Sequence, residues 1–484
     1  MKLRYYWYAS FSFLLFLILD SCTTKSSLRI DQLSNCTLNN DFLSAVESIK
    51  KKPGLYGKNN AFLYNMDIGS LFHYAGYYDS SRVYLLKASD ILDDLFARSV
   101  TNEAAAIMIN DNVRPYRSRP YEIVMMHQFI ASDYLAQGDV DGALVETRQV
   151  QLHFDEWNRK NNKKEEKYDS DGMFHYLSSI AYDAADETSD AMISLFHAVE
   201  SFQTGPVPLP DAIRNRAFYS FKMNDRESDN SLLKLTPTMQ RDGVAGLENN
   251  SSEIVVIGYA GRGPMLVEES WWGTWVKDGL LVIHHTNGKG EDETMSLNAP
   301  ALPPSELKKA EKGQKTKSGT TFHIKFALPA VKTVPSETKK FTVKCSGDPT
   351  NYASVIINDL DAQAQKNLDD TKNSTLLRTV IRVVLRTIAA EKAKEKMKTG
   401  SVAANLLLNI GTDILADQLE KADTRSCFLL PKTVQIVRIP VKPGTYSVDV
   451  SANSGSGGVL SNKVFSDINV REHEKKFVFY SSFK

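Results

Sequence analysis

The chain has no excess of charge: 58 Lys and Arg face 58 Asp and Glu across 484 residues. A neutral balance removes any general attraction to nucleic acid or to anionic lipid, so neither partner follows from bulk electrostatics. Cysteine is scarce, at four residues, with no C-x-x-C pair, which excludes a zinc-ribbon or thioredoxin-like site. No apolar run reaches the roughly 20 residues that a membrane-crossing helix needs. The phosphate-binding G-x-x-x-x-G-K-S/T loop, the metalloprotease H-E-x-x-H, the hydrolase G-x-S-x-G and the dinucleotide G-x-G-x-x-G after a strand are all missing. Neither a catalytic residue nor a bound cofactor or metal is therefore expected, and the chain is read as a non-enzyme of a few globular domains.

What is present begins at the N-terminus. Lys2 and Arg4 precede an uncharged, mostly apolar stretch from Trp7 to Leu19, the length of a signal-peptide core. It ends in Leu19-Asp20-Ser21-Cys22, which resembles the lipobox of bacterial lipoproteins, with Asp20 where a small residue is usual. That resemblance implies cleavage after residue 21 and lipidation of Cys22. Residues 22–40, starting Thr23-Thr24-Lys25-Ser26-Ser27, suit a tether. Two or more acyl chains hold a protein to a membrane without a basic patch. Of the remaining cysteines, Cys345 and Cys427 are placed where a disulfide is permitted but not dictated.

Residues 41–240 carry a repeated pattern. Gly69, Phe72, Gly76, Tyr78, Ser81, Leu85 and Ala88 recur as Ala131, Tyr134, Gly138, Val140, Ala143, Thr147 and Val150. They recur again as Ser179, Tyr182, Asp186, Thr188, Ala191, Leu195 and Ala198. Small residues that let two helices approach, large ones that fill between them and a turn residue in the middle look like the tetratricopeptide (TPR) pattern. A weaker pair turns at Asn224-Asp225. Such arrays offer a concave surface, which either docks a partner or packs on the rest of the chain. Arg114, Arg117 and Arg119, around Pro115 and Pro120, either bind an acidic group or cap the following helix. Tyr134 and Arg148 complete the candidate partner-binding set, with Arg148 and Glu146 expected on the surface. His127 and His175, at equivalent offsets one repeat apart, read as surface or inter-repeat packing residues.

Residues 250–484 change character. Eight β-branched, often alternating runs, from Glu253–Tyr259 to Lys476–Tyr480, predict an antiparallel β-sandwich-like domain of about eight strands. A helical insertion is expected at about 352–422, as helices over 352–370, 376–397 and 402–422. The middle one carries Arg378, Arg382 and Arg386 on a face expected to meet water. Three tryptophans, Trp271, Trp272 and Trp275, are candidates for stacking on a carbohydrate, for a membrane interface, or for plugging the joint between the halves. His284 and His285 are adjacent on a strand, so they point apart and do not share an ion. The fold class is thus α+β: a TPR-like helical array, then a β-rich domain.

Arg119-Pro120-Tyr121-Glu122, Leu135-Ala136-Gln137-Gly138-Asp139, Gly261-Arg262-Gly263-Pro264, Ile356-Ile357-Asn358-Asp359-Leu360-Asp361 and Ala422-Asp423-Thr424-Arg425-Ser426 together resemble a family of bacterial TPR-containing envelope lipoproteins. Cys427 departs from that pattern, standing where a large aromatic is expected. The resemblance implies an outer-membrane lipoprotein facing the periplasm, a scaffold or assembly factor whose partners are other envelope proteins, with no nucleic acid. Peptidoglycan is the alternative ligand, through the tryptophans.

Overall fold

The computed structural model describes residues 33–98, 114–160, 171–244, 247, 251–276, 280–286, 292–298, 321–397 and 421–484. The export signal, Cys22, most of the tether and the helix expected at 402–422 (apart from its last two residues) lie outside them.

After a short helical segment at 33–38, α1 (Phe42–Lys51) is followed by four antiparallel helix pairs. They are α2 (Ala61–Ala75) with α3 (Tyr78–Arg98), α4 (Pro120–Ala136) with α5 (Val140–Lys160), α6 (Gly172–Ala184) with α7 (Thr188–Thr204), and α8 (Asp211–Met223) with α9 (Glu227–Leu232). The chain reverses at left-handed residues in each pair: Gly76, Gly138, Asp186 and Asp225, with φ of 81°, 79°, 64° and 55°. Glycine takes that conformation freely, and Asp is among the few other residues that tolerate it. The small residue of the first pair is needed for approach: a Cβ on Gly69 would stand 2.5 Å from Leu85 Cγ. Helix α4 is buried almost all round, from Pro120 to Asp133, as a helix must be when it has neighbours on every side.

The rest is strand-rich. One sheet has the order β12 (Lys475–Ser482), β1 (Glu253–Arg262), β9 (Pro431–Pro440), β8 (Val355–Asp359). A second runs β11 (Val459–Val470), β10 (Gly444–Asn453), β6 (Lys340–Cys345), β7 (Asn351–Ala353). The third runs β4 (Asp292–Asn298), β3 (Leu280–Thr286), β2 (Met265–Val276), β5 (Thr321–Lys332). Pairing is antiparallel except between β1 and β12, which run parallel.

The first sheet is covered on both faces, which is why β1 reads as an unbroken apolar run. Val255, Ile257 and Tyr259 join the helices in one apolar cluster. Ile254, Val256 and Ala260 share a second cluster with Phe341, Val343, Val448 and Val450 of the second sheet. There Gly258 is indispensable, since a Cβ on it would come within 2.3 Å of the Phe341 ring.

Three expectations need correction. The described residues hold twelve strands, not about eight; β2 and β4 are broken up by Glu, Gly and Asp, and β7 and β8 are short. The helix expected from 352 starts instead at Leu360, because Val355 and Ile356 are β-branched and, with Asn358 and Asp359 beyond a bulge at Ile357, pair with β9. The predicted break near 371–375 is absent: α10 runs unbroken from Leu360 to Met397. Its hydroxyls bond back to their own helix, Thr371 Oγ1 to the Asn367 carbonyl at 2.7 Å and Ser374 Oγ to that of Thr371 at 3.0 Å. Cys345 and Cys427 are not bonded to each other and lie in different clusters.

Candidate functional site: a cationic cleft

Glu122, in the first turn of α4, organises the site. Its Oε2 accepts from the Arg119 backbone N–H at 2.8 Å and from the Tyr116 hydroxyl at 2.6 Å, and its Oε1 accepts from the Cys427 N–H at 2.9 Å. A carboxylate at a helix N-terminus is favoured by the dipole and by these orphan donors. Arg119 donates to the Tyr116 oxygen and to the Arg425 carbonyl, each at 2.8 Å. Arg425 grips both oxygens of Asp423, at 2.8 and 2.7 Å, and donates to the Arg114 carbonyl at 2.9 Å and to Asn60 Oδ1 at 3.0 Å. Its guanidinium also lies over the Tyr116 ring, 5.3 Å from the centroid. Burial pushes the Tyr116 hydroxyl well above its usual range. Burial pulls Arg119 down, but Tyr116 and Glu122 outweigh it and hold the guanidinium charged.

This lattice fixes two chain segments, 114–120 and 421–427, as one wall of an open cleft of about 270 Å³. The opposite wall is α10, with Thr371, Ser374, Thr375, Arg378, Thr379 and Arg382 lining it. Their spacing of i, i+3, i+4, i+7, i+8 and i+11 is a single helix face. Ala327, Leu328 and Pro329 of β5 supply an apolar edge. Among the described lining residues seven are cationic, Lys421 included, and Asp423 is the one carboxylate. Glu122 stands behind Arg119, its Oε1 3.8 Å from Nη1.

The structure therefore brings Arg114, Arg117 and Arg119 together with cations far away in sequence. It does not bring in Tyr134 or Arg148. Tyr134 is half-buried under the Arg82 guanidinium, 4.5 Å from its ring centroid, and Arg148 is exposed on α5. Glu146 is not on the surface as expected: it is buried and lies 2.7 Å from His127 Nδ1. His127 in turn reaches His153 at 3.4 Å. His175 is separate, half-buried beside the His197 ring at 5.6 Å. Sequence reasoning missed Lys421 and Arg425; Arg378 is exposed as expected, whereas Arg382, also assigned to water, is buried.

The tryptophans do not make one platform. Trp271 is buried, stacked on His285 with ring centroids 4.4 Å apart and planes at 15°. Trp272 points the other way and is 45% exposed. The Trp275 side chain lies outside the described residues. His284 and His285 diverge as expected: His284 bonds Thr294, and His285 bonds the Ser270 carbonyl, each at 3.0 Å.

Two further polar constellations are sealed. His73 bridges Asp133 (2.6 Å) and the Tyr259 hydroxyl (3.0 Å), an arrangement that would suit a proton relay, but all three are at most 2% exposed. Without access for a reactant it ties α2, α4 and β1 together. Glu253, fully buried, pairs with Arg438 at 2.6 Å and Arg216 at 3.4 Å. Among the described residues no group of three His, Cys, Asp or Glu is placed to hold a metal ion, and no helix is long and apolar enough to cross a membrane.

No protein-family model, no curated protein and no solved structure matches this chain.

Proposed function

We propose that this chain is a bacterial envelope lipoprotein, anchored through acylated Cys22, that serves as a scaffold or assembly factor. In this reading the helix pairs form a TPR-like array and the first two sheets a β-sandwich-like domain. The protein sits on the outer membrane facing the periplasm. It holds an envelope partner by an acidic group received in the cleft.

The cleft carries the proposal. Cationic side chains brought from three parts of the chain to one concavity are a recognition feature, because their local field attracts an acidic group. The neutral chain as a whole supplies no such attraction, so selectivity rests on this local field. The lipobox-like Leu19–Cys22 segment supports the anchor.

Capture from solubilised membranes, with cross-linking in intact cells, tests the scaffold. The native chain should retain a specific set of envelope proteins that an R117E/R378E variant of unchanged melting temperature loses. Recovery of the same set by both proteins, or of no specific partner by either, refutes it. Mass spectrometry of the mature N-terminus should find acyl chains on Cys22; an unmodified thiol there removes the anchor.

A further inference from the structure

We propose that the solvent-facing sides of α3, α5, α7 and α9 form a second interaction surface, one that takes a basic amphipathic segment of a partner protein. None of its residues lines the cleft, so the two surfaces stand or fall separately.

The first observation is one of position. Seven residues after the left-handed turn residue of each pair (Gly76, Gly138, Asp186 and Asp225) stand Val83, Val145, Ile193 and Leu232. They are 52%, 50%, 45% and 70% exposed. Two residues earlier on the same helices, Ser81, Ala143, Ala191 and Asn230 are buried. Two residues turn an α-helix by about 200°, so the aliphatic position points away from the core, where a polar side chain is the rule.

Single exposed aliphatic residues are common on any protein and mean nothing alone. Here the same offset carries one in all four pairs. Thirteen large apolar side chains are exposed among the described residues. Six of them lie on these second helices, Leu86 and Leu152 being the other two, and none lies on α2, α4, α6 or α8. Each pair packs on the next, α3 on α4, α5 on α6 and α7 on α8, so equivalent positions follow one another along the stack.

Charge says what covers them. On the same four helices nine carboxylates are exposed among the described residues, against two exposed cations, Lys87 and Arg148. Asp79 is offset by Arg82, and Asp93 lies 3.2 Å from His153. Asp90, Asp141, Asp190 and Glu227 put a further carboxylate on each helix. An apolar row in an acidic surround repels an anionic bilayer, nucleic acid and a second copy of the same face. It attracts a segment whose aliphatic side chains cover the row while its lysines and arginines meet the carboxylates.

Photo-crosslinking with the full chain in intact cells tests this, with benzoylphenylalanine placed in turn at Val83, Val145 and Ile193. All three positions should trap one partner protein, and the joined peptide should carry aliphatic residues interspersed with Lys or Arg. V145S/I193S should lower the yield at Val83 roughly tenfold or more, as loss of central contacts does. Its melting temperature should not change, because Ser, Val and Ile have similar helix propensities. D141K/D190K should lower the yield by as much. R117E/R378E, which disables the cleft, should leave the adducts intact. An undiminished yield from either of the first two variants overturns the proposal. So does the absence of adducts at all three positions, or an adduct to lipid, to this chain itself or to a segment without basic residues. Loss of the adducts in R117E/R378E overturns the independence of the two surfaces.

Discussion

Glu253 shows how much one buried carboxylate does here. Burial raises its pKa, but Arg438, Arg216 and Lys475 outweigh that and bring it down to about 2. Its folded pKa thus lies below the unfolded value near 4.3, so the carboxylate stabilises the fold fully above that value. The contribution fades as pH falls from about 4.3 towards 2. A shift of this size corresponds to roughly 3 kcal/mol. E253Q should therefore melt well below the native chain at pH 7, by an amount equivalent to roughly 3–5 kcal/mol, because Arg438 and Arg216 lose the buried carboxylate they share. Melting curves from pH 7 down to pH 3 check this: the gap between the two proteins should narrow on acidification. A constant gap would show that the charge is not what matters.

A second residue-scale prediction concerns His73. It fills space among Tyr74, Phe129 and Phe479 while bonding Asp133 and Tyr259. Burial keeps the Asp133 pKa raised, so the pair is a packed polar joint and not an exposed charge. H73A leaves a cavity and two buried polar groups short of a partner, at a cost of about 3 kcal/mol. Thermal denaturation should show a clear loss of stability, while partner binding by native-state protein stays unchanged, since none of these groups lines the cleft. If stability holds but binding falls, His73 belongs to a functional path after all.

At the scale of elements, the first turn of α4 couples local structure to the site. Glu122 satisfies donors from its own N-cap, from Tyr116 and from Cys427, which is 305 residues away. E122A should cost roughly 2–4 kcal/mol, combining a lost cap with unsatisfied buried donors. The diagnostic measurement is hydrogen exchange: protection at the Cys427 amide should collapse while β1 amides stay protected. Uniform loss along the chain would mean that Glu122 is not a local clamp.

How far the elements were legible follows from the same physics. The four helix pairs could be read because each turn is written locally, in Gly76, Gly138, Asp186 and Asn224-Asp225. β1 could be read because a doubly covered strand is apolar throughout. β2 could not, since Glu268, Glu269 and Gly273 interrupt it and its order comes from pairing with β3 and β5. The join of two expected helices into α10 was hidden by Thr371-Lys372-Asn373-Ser374-Thr375, residues that favour caps until their hydroxyls turn back on their own helix. For the cleft, the loop arginines stood out by proximity in the chain. Their counterparts did not, because Arg119 meets the Arg425 carbonyl across 306 residues and no local pattern encodes that meeting.

For the molecule as a whole, the change of composition near residue 250 suggests two separable domains, whereas packing joins them. Tyr259, Ile257 and Val255 of β1, Phe477 and Phe479 of β12, and Cys427 to Leu430 belong to the same apolar cluster as α1 to α8. Tyr74 donates to the Leu429 carbonyl at 3.0 Å, Arg216 reaches Glu253, and Lys475 pairs with Asp183 at 3.1 Å. Cutting the chain between 240 and 250 would expose one face of the first sheet and the matching helix surface, a patch far beyond what soluble monomers tolerate. Fragments 41–240 and 250–484 made separately should aggregate or bind a hydrophobic dye strongly. Made together, they should associate and recover the native melting transition, because the interface resembles a domain core cut in half. Size-exclusion chromatography of each fragment alone and of the pair decides it. A monodisperse, cooperatively melting helical fragment would mean that the array is an independent domain. The cleft, whose walls come from both sides of the cut, would then be a docking seam between two bodies. A fragment that needs its other half instead makes the cleft a fixed part of one core, with its charges held in place before any ligand arrives.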